Sequence, residues 1–539
     1  MSSKFKEILE KKEFIFTFEL VPGRSVRTRQ YKDILRFLEE STKYNFFQAF
    51  TITDNAGGHP ALAPSALGRE IKRMGMETII HFSCKDKNRN QLESDLLALD
   101  REGLHNLLVI TGDYPFYGYL GKAKPVFDLD SVLLLKMISE MEKGMELSKF
   151  APGGGIELPP IPFFKGCVIN PFKLTLAETW IQYIKLYKKL KAGAYFVITQ
   201  SGFFPKKWLE LKKLLDEGLT KILAELFHEP SIYSPEEDEK FRKIPLIGGL
   251  LYTNTLIIKS LLNTKIPGIL MGKKFLETLE RTEDLEDKIL ELNAKLAAIL
   301  KGFGYKGVHL TVFPLNYEKL QVFMDYFYKF ESRWEEYLPE FDERVVFLEK
   351  GQLKEKDLAF ISEDLSFFSL KPTKHKRRAI FYLSKIFHFL FFARELPWYP
   401  LLVKLSKLFD KSPCLKRWVT TWEYTLKRAL YNCRECGDCC LYELNYLCPQ
   451  SDCAKYILNG ACGGSINGYC EVYPFEKRCI YVRAFERAIS KKELKKLLFP
   501  FDNYYIPPRN WSLYKTSSWL NFHLFRDHHA KYEIPLNNH

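Results

Sequence analysis

Between residues 10 and 330 the chain alternates short, near-continuous apolar runs with longer amphipathic stretches. Eight of the short runs predict strands: Phe14–Leu20, Ala49–Thr53, Thr78–Ser83, Leu107–Thr111, Gly166–Ile169, Tyr195–Thr199, Leu246–Tyr252 and Gly307–Val312. Such runs suit parallel strands buried on both faces. The stretches between them carry the helical period. Leu285, Ile289, Leu292, Leu296 and Ile299 fall on one helix face. Asp128 and Asp130 precede SVLLLKMI as candidate caps. TLAETWIQYIKLYKKLKAG runs to a stop at Gly193. Eight β/α units in about 320 residues predict an α/β fold of the (β/α)8, or TIM, barrel type, with an open doubly wound sheet as the alternative.

The segments that follow the strands hold the reactive side chains. They are ELVPG from Glu19, TDNAGG from Thr53, CKD from Cys84, TGDYP from Thr111, NP at Asn170 and QSG from Gln200. Barrel enzymes build their sites on this rim. Glu19 and Asp113 each end a strand, and a partly desolvated carboxyl group there has its pKa raised towards the range of a general acid. The plainer alternative is a rim carboxylate satisfied by a neighbouring amide or lysine. His81 alone reads as a satisfied core histidine; with Glu19, Asp113 and Gln200 it becomes a site candidate. Residues 151–163 read as a Gly/Pro loop, and 228–243 as an acidic, then basic, insertion of no evident role.

The composition shifts after residue 350. The basic run Lys374–Arg378 precedes IFYLSKIFHFLFF and WYPLLVKLSKLF, which are too short and too interrupted by lysine to cross a bilayer. So many aromatics predict burial against the rest of the protein, with an interfacial helix as the alternative. Nine of the 12 cysteines then lie between Cys433 and Cys479. The first residues carry no apolar signal core, so these cysteines predict a metal site in a cytoplasmic protein rather than disulfides. The candidate ligands are Cys433, Cys436, Cys439, Cys448, Cys453, Cys462, Cys470 and Cys479. Four thiolates can hold a [4Fe–4S] cluster or a structural zinc ion, and spacing leaves the choice open. A Trp/Tyr-rich tail follows and includes HLFRDHH. The expected division is a barrel at 1–335, a helical connecting region at 336–425 and a cysteine-rich module at 426–539.

Composition and charge narrow the function classes. Hydrophobic residues at 46% and charged residues at 27% exclude a mainly disordered chain. The excess of 80 Lys and Arg over 66 Asp and Glu, a net +14, suits a solvated lysine surface or an acidic partner. No RNA-binding motif accompanies it, so nucleic acid is not expected. Neither GxGxxG nor GxxxxGK[ST] occurs, so a phosphate-bearing cofactor would be held by barrel loops and helix N-termini.

The order of FE at Phe18, TD at Thr53, HFSC at His81, TGD at Thr111, AGAYFVITQ at Ala192, GGLLYTN at Gly248, IPGI at Ile266 and GVH at Gly307 resembles the methylenetetrahydrofolate reductase family over about residues 10–330. The resemblance implies a barrel holding a flavin, FAD or FMN, with folate stacked on its ring, in one-carbon metabolism and methionine biosynthesis. It implies Glu19 as the acid that protonates N10 of 5,10-methylenetetrahydrofolate, Asp113 between pterin and flavin, and Gln200 as a folate-contacting amide. It implies flavin contacts at Thr53, Asp54, His81, Asn170 and Lys189. The turn LVPG after Glu19, and Thr111 where some members have Arg, depart from the family pattern. The segment from Cys433 to about Ala488 resembles the cysteine-rich module found with some of these reductases, with Ala461 where Pro usually precedes Cys462. That module implies an iron–sulfur cluster that passes electrons to the flavin. Its donor would be an acidic ferredoxin or flavodoxin. The alternatives are direct reduction by NAD(P)H beside a structural zinc, a non-catalytic folate-binding or electron-transfer subunit, and a zinc methyltransferase using folate. An oligomer is compatible with all of them.

Overall fold

The computed structural model describes residues 3–146, 157–361, 379–488, 491–498, 500 and 504–529. Part of the Gly/Pro loop and the whole basic run Lys374–Arg378 lie outside the described residues. The chain divides into two compact units, residues 1–370 with 462–477, and residues 371–461 with 478–539. A short part of the cysteine-rich segment, with Cys462 and Cys470, thus belongs to the first unit.

The first unit is a closed eight-stranded barrel. Its strands are β1 (Ile15–Leu20), β2 (Ala49–Ile52), β3 (Thr78–Ser83), β4 (Asn106–Ile110), β5 (Phe164–Ile169), β6 (Phe196–Ser201), β7 (Leu246–Leu251) and β8 (Gly307–Thr311). All neighbours pair in parallel, and β1 closes the ring against β8 with Ile15 opposite Gly307 and Thr17 opposite His309. The eight expected strands are all present, with ends shifted by a residue or two. The expected helices form too. Thr175 caps Leu176–Lys191 through the Glu178 N–H, and Gly193 leaves the helix at φ +92°. Asp130 caps Ser131–Met141 through the N–H groups of Val132 and Leu133. Asp128 instead pairs with Arg89 through Nε at 2.8 Å and Nη2 at 2.9 Å. The 228–243 insertion contains the helix Pro235–Arg242, whose Asp238 accepts from the N–H groups of Thr220 and Lys221 and so caps the helix Leu219–Phe227.

Pleat alternation divides each strand between the two faces. On β1, Phe18 points outward, packing on Phe37 and Phe47, while Ile15 enters the inner core. That core joins Ile15, Ala49, Ile79, Leu108, Phe164, Phe196, Ile198 and Ile247 with Phe5 and Leu9 of the N-terminal helix Lys4–Lys11. Phe5 meets the rings of Phe164 and Phe196 at 6.2 and 5.7 Å and closes this end of the barrel. Phe5→Ala is expected to lower the unfolding free energy by about 3–5 kcal/mol. The midpoint of urea denaturation measures it, and an unchanged midpoint would mean that the helix is dispensable.

The second unit is helical. Ala379–Phe392, Tyr399–Lys411 and Pro413–Tyr431 precede the cysteine loops, and Ser518–His523 follows them. The expected burial of the aromatic helix Ala379–Phe392 does not hold. One side packs through Phe387 on Trp519 and through His388 on Tyr442. Leu383, Ile386 and Phe389 on the same helix are exposed by 56–64%. The helix is mostly apolar, broken by Ser384, Lys385 and His388, and among the described residues its Leu383, Ile386 and Phe389 side stays uncovered. Among the described residues, no helix is long and apolar enough to cross a membrane.

Candidate active site

The inward positions change from apolar to polar towards the C-terminal ends of the strands. Thr17 and Glu19 on β1, Thr51 on β2, His81 on β3 and His309 on β8 replace the hydrocarbon of the core. Glu19, His81 and His309 bring one ligand atom each within 4.8 Å of one another. His309 Nε2 lies 3.7 Å from Glu19 Oε2, and the rings of His81 and His309 are 6.3 Å apart. The Thr17 hydroxyl donates to the Val308 carbonyl at 3.3 Å, and His309 Nδ1 lies 3.0 Å from Thr17 Oγ1. The Thr17 oxygen is thus free to accept from Nδ1–H. That tautomer turns the Nε2 lone pair towards Glu19, with Oε2 3.7 Å away and beyond hydrogen-bond distance.

The electrostatics differ from the simple expectation for a strand-end acid. Burial raises the Glu19 carboxyl, but the neighbouring His309 outweighs it, and its pKa lies below the ordinary carboxylate value. Burial also lowers His81, to about 4, against the opposing pull of Glu19 and, more weakly, Asp54. His81 is therefore neutral at physiological pH. Because its folded pKa lies below the unfolded value, the unfolded chain binds more protons in the window between them. Stability is fully present above the unfolded pKa and falls as pH drops towards 4. The loss is about 3 kcal/mol from this residue. Melting temperature against pH should show a weaker acid slope for His81→Gln than for the native chain; equal slopes would refute the assignment.

The other expected site residues sit around this group. The Asp54 carboxylate accepts from the Ser83 N–H at 3.2 Å and hydroxyl at 2.7 Å, and meets Lys87 at 3.4 Å. Asp113 accepts from the Gly57 N–H at 2.9 Å, which ties the β4 loop to the β2 loop. The close approach of these loops needs glycine, since a Cβ on Gly58 would lie 2.5 Å from the Tyr114 carbonyl. Gln200 stands where the β6–β7 register shifts, an irregularity that re-aims a side chain. Its Oε1 accepts from the Ser201 N–H at 3.0 Å. Asn170 donates to the carbonyls of Gly268 at 2.8 Å and Gly463 at 2.7 Å, and Lys173 also reaches the Gly463 carbonyl. The backbone that follows Cys462 is therefore fixed at the rim beside β5. Lys189 bonds the Val168 carbonyl, and burial lowers its pKa to about 8.

Three buried polar atoms at this end of the barrel, Thr51 Oγ1, Thr53 Oγ1 and His81 Nε2, have no hydrogen-bond partner among the described residues. Buried polar groups without partners are costly. A polar, planar ligand such as a flavin fits them.

In the second unit Cys433, Cys436, Cys439, Cys440 and Cys448 line one small cavity. Arg509 donates to Cys436 Sγ at 3.1 Å and Cys440 Sγ at 3.3 Å, and Lys427 approaches Cys439 Sγ at 3.6 Å. Burial pushes the Cys433 thiol up to about 12 and raises Cys439, against the pull of Lys427. Forming several thiolates here requires added positive charge. A metal ion or iron–sulfur cluster, flanked by these two cations, meets that requirement. Cys453 and Cys479 also belong to this unit. His309 carries no assigned role in the sequence although GVH is part of the resemblance, Arg509 and Lys427 have no local signature, and Cys440 joins the cavity beside the expected ligands.

The family of methylenetetrahydrofolate reductases matches residues 4–323. The chain belongs to the methylenetetrahydrofolate reductase family. A second family, described as the methylenetetrahydrofolate reductase C terminal, matches residues 412–512. This reductase-family barrel is thus joined to the C-terminal module anticipated from its cysteines. No curated protein matches the chain. Among solved structures, an uncharacterized protein from Clostridium thermocellum that binds two copies of 5-methyl-5,6,7,8-tetrahydrofolic acid is similar at 13% identity and a TM-score of 0.38, over 61% of this chain and 98% of that one. A dihydropteroate synthase from Coxiella burnetii, in complex with pteroic acid, is similar at 11% identity and a TM-score of 0.27, over 59% of this chain and 94% of that one. Neither likeness is close enough to bear on function.

Proposed function

We propose that this family member reduces 5,10-methylenetetrahydrofolate to 5-methyltetrahydrofolate on a flavin at the barrel mouth, with electrons entering through an iron–sulfur cluster in the cysteine cavity. The observation that carries the reading is the Glu19 carboxylate 3.7 Å from His309, set among buried polar atoms that have no hydrogen-bond partner among the described residues.

A bound flavin would supply the hydride that makes the methyl group. The chain's own residues would do the rest. Thr51, Thr53 and His81 would hold the cofactor's polar edge. Glu19 would deliver a proton to N10 as the methylene bridge opens. Ligands seated over the carboxylate would withdraw the water that still reaches it and raise its pKa, which reconciles an acid role with a lowered carboxyl pKa in the open site. Gln200 and Asp113 would orient the pterin. The held segment after Cys462 would bring a cysteine of the module to the rim. The net +14 would favour encounter with an acidic electron carrier.

The test is anaerobic purification of the full chain, followed by a visible spectrum, iron and sulfide analysis, and turnover of 5,10-methylenetetrahydrofolate with a reduced dye. Flavin bands over broad cluster absorption, with turnover, are expected. Absence of flavin after reconstitution would overturn the catalytic reading.

A further inference from the structure

A second group of ligating side chains lies in the helical unit, apart from the cysteine sulfurs. Glu443, from the loop between Cys440 and Cys448, meets two consecutive histidines of the C-terminal tail. Its Oε1 is 3.0 Å from His528 Nε2 and 3.1 Å from His529 Nε2. The outer nitrogens of both rings face carboxylates. His528 Nδ1 lies 2.5 Å from Asp438 Oδ1, and His529 Nδ1 lies 2.9 Å from Asp527 Oδ2. All five side chains are buried, the Glu443 side chain completely.

We propose that Glu443, His528 and His529 bind one divalent transition-metal ion of the zinc class through the Glu443 carboxylate and the two Nε2 atoms, with Asp438 and Asp527 orienting the rings. Four observations point there. The second carboxylate oxygen, Glu443 Oε2, is buried with no hydrogen-bond partner among the described residues. The separations suit a shared ion, since ligands about 2.0–2.1 Å from one metal stand about 2.9–3.4 Å from each other. A carboxylate behind each imidazole is the arrangement that orients a metal-ligating histidine, holding the proton on Nδ1 and directing Nε2 to the ion. The charges agree as well. Three carboxylates surround the two imidazoles, and a divalent ion would offset two of those negative charges, as two added protons would. The donor set of two nitrogens and one oxygen selects zinc or a similar ion over the sulfur chemistry of the neighbouring cysteines.

An ion also has a route in. A cavity of about 390 Å³, lined by Lys427, Tyr442, Trp519 and Phe522 among others, reaches Asp527 and His529. The two histidines lie beyond residue 512, where the C-terminal family match stops.

The test uses the full chain, stripped of metal and titrated with zinc alone, followed by metal analysis and zinc-edge X-ray absorption. The native protein is expected to hold one more zinc equivalent than Glu443→Gln or His529→Gln. Its spectrum should contain a nitrogen shell with imidazole scattering that both variants lose, whatever sulfur shell the cysteines contribute. Asp527→Asn, which keeps the shape of the site, is expected to weaken this equivalent about 10–100-fold and decides the matter if the other two variants fail to fold. Equal stoichiometry and no imidazole shell in the native protein would show a purely hydrogen-bonded network and overturn the proposal.

Discussion

Glu19→Gln is expected to slow reduction of 5,10-methylenetetrahydrofolate by about 10²–10⁴-fold, the usual contribution of a positioned general acid. The substitution removes the proton donor while preserving side-chain size and a polar group beside His309. Flavin content should stay at the native level, because the polar atoms assigned to the cofactor, on Thr51, Thr53 and His81, are untouched. The effect should divide between the half-reactions. Reduction of the flavin by a dye should be unchanged, and its reoxidation by the folate should carry the whole loss. Stopped-flow absorbance separates the two. Folate-dependent reoxidation at the native rate in the flavin-loaded variant would remove Glu19 from the chemistry and with it the reading of the Glu19–His309 pair.

The parts of this site that could be read in the sequence are those with local signatures. A strand buried on both faces is an apolar run whatever its neighbours, so the eight strands stood out. Glu19 and His81 stood out as polar residues within or at the end of such runs. His309 did not, because a single histidine among Gly307, Val308 and Leu310 reads as core. Only closure of the ring, which sets Thr17 beside His309 and brings β8 against β1, places its ring next to Glu19. The cysteine cavity was legible through the spacing of its first three members. Arg509 is 73 positions from the Cys436 sulfur it contacts, and no local pattern announces it. The aromatic helix Ala379–Phe392 shows the opposite failure. Its composition asks for burial, yet composition cannot say whether enough neighbouring surface exists to cover all its sides.

Cys436→Ser and Cys448→Ser, each made in the full chain, carry the second large expected effect. Both residues line the cavity that Arg509 and Lys427 border. A serine hydroxyl cannot supply the thiolate that iron or zinc requires in such a site. Each variant should lose most of the iron and acid-labile sulfide while the barrel keeps its flavin. Folate reduction driven by a small dye, which reaches the flavin directly, should stay within about twofold of native. Reduction driven by an acidic ferredoxin or flavodoxin should fall by about 10²-fold or more, since single electrons would then have no relay to the flavin. The contrast between donors is the informative quantity, because it assigns the loss to the route through the helical unit rather than to the barrel, and an unchanged far-ultraviolet circular dichroism spectrum then separates loss of the cluster from misfolding of that unit. Zinc without iron in the native protein, together with NAD(P)H-driven turnover that both serine variants retain, would instead make the cysteine cavity a brace for the fold and move electron entry to the barrel.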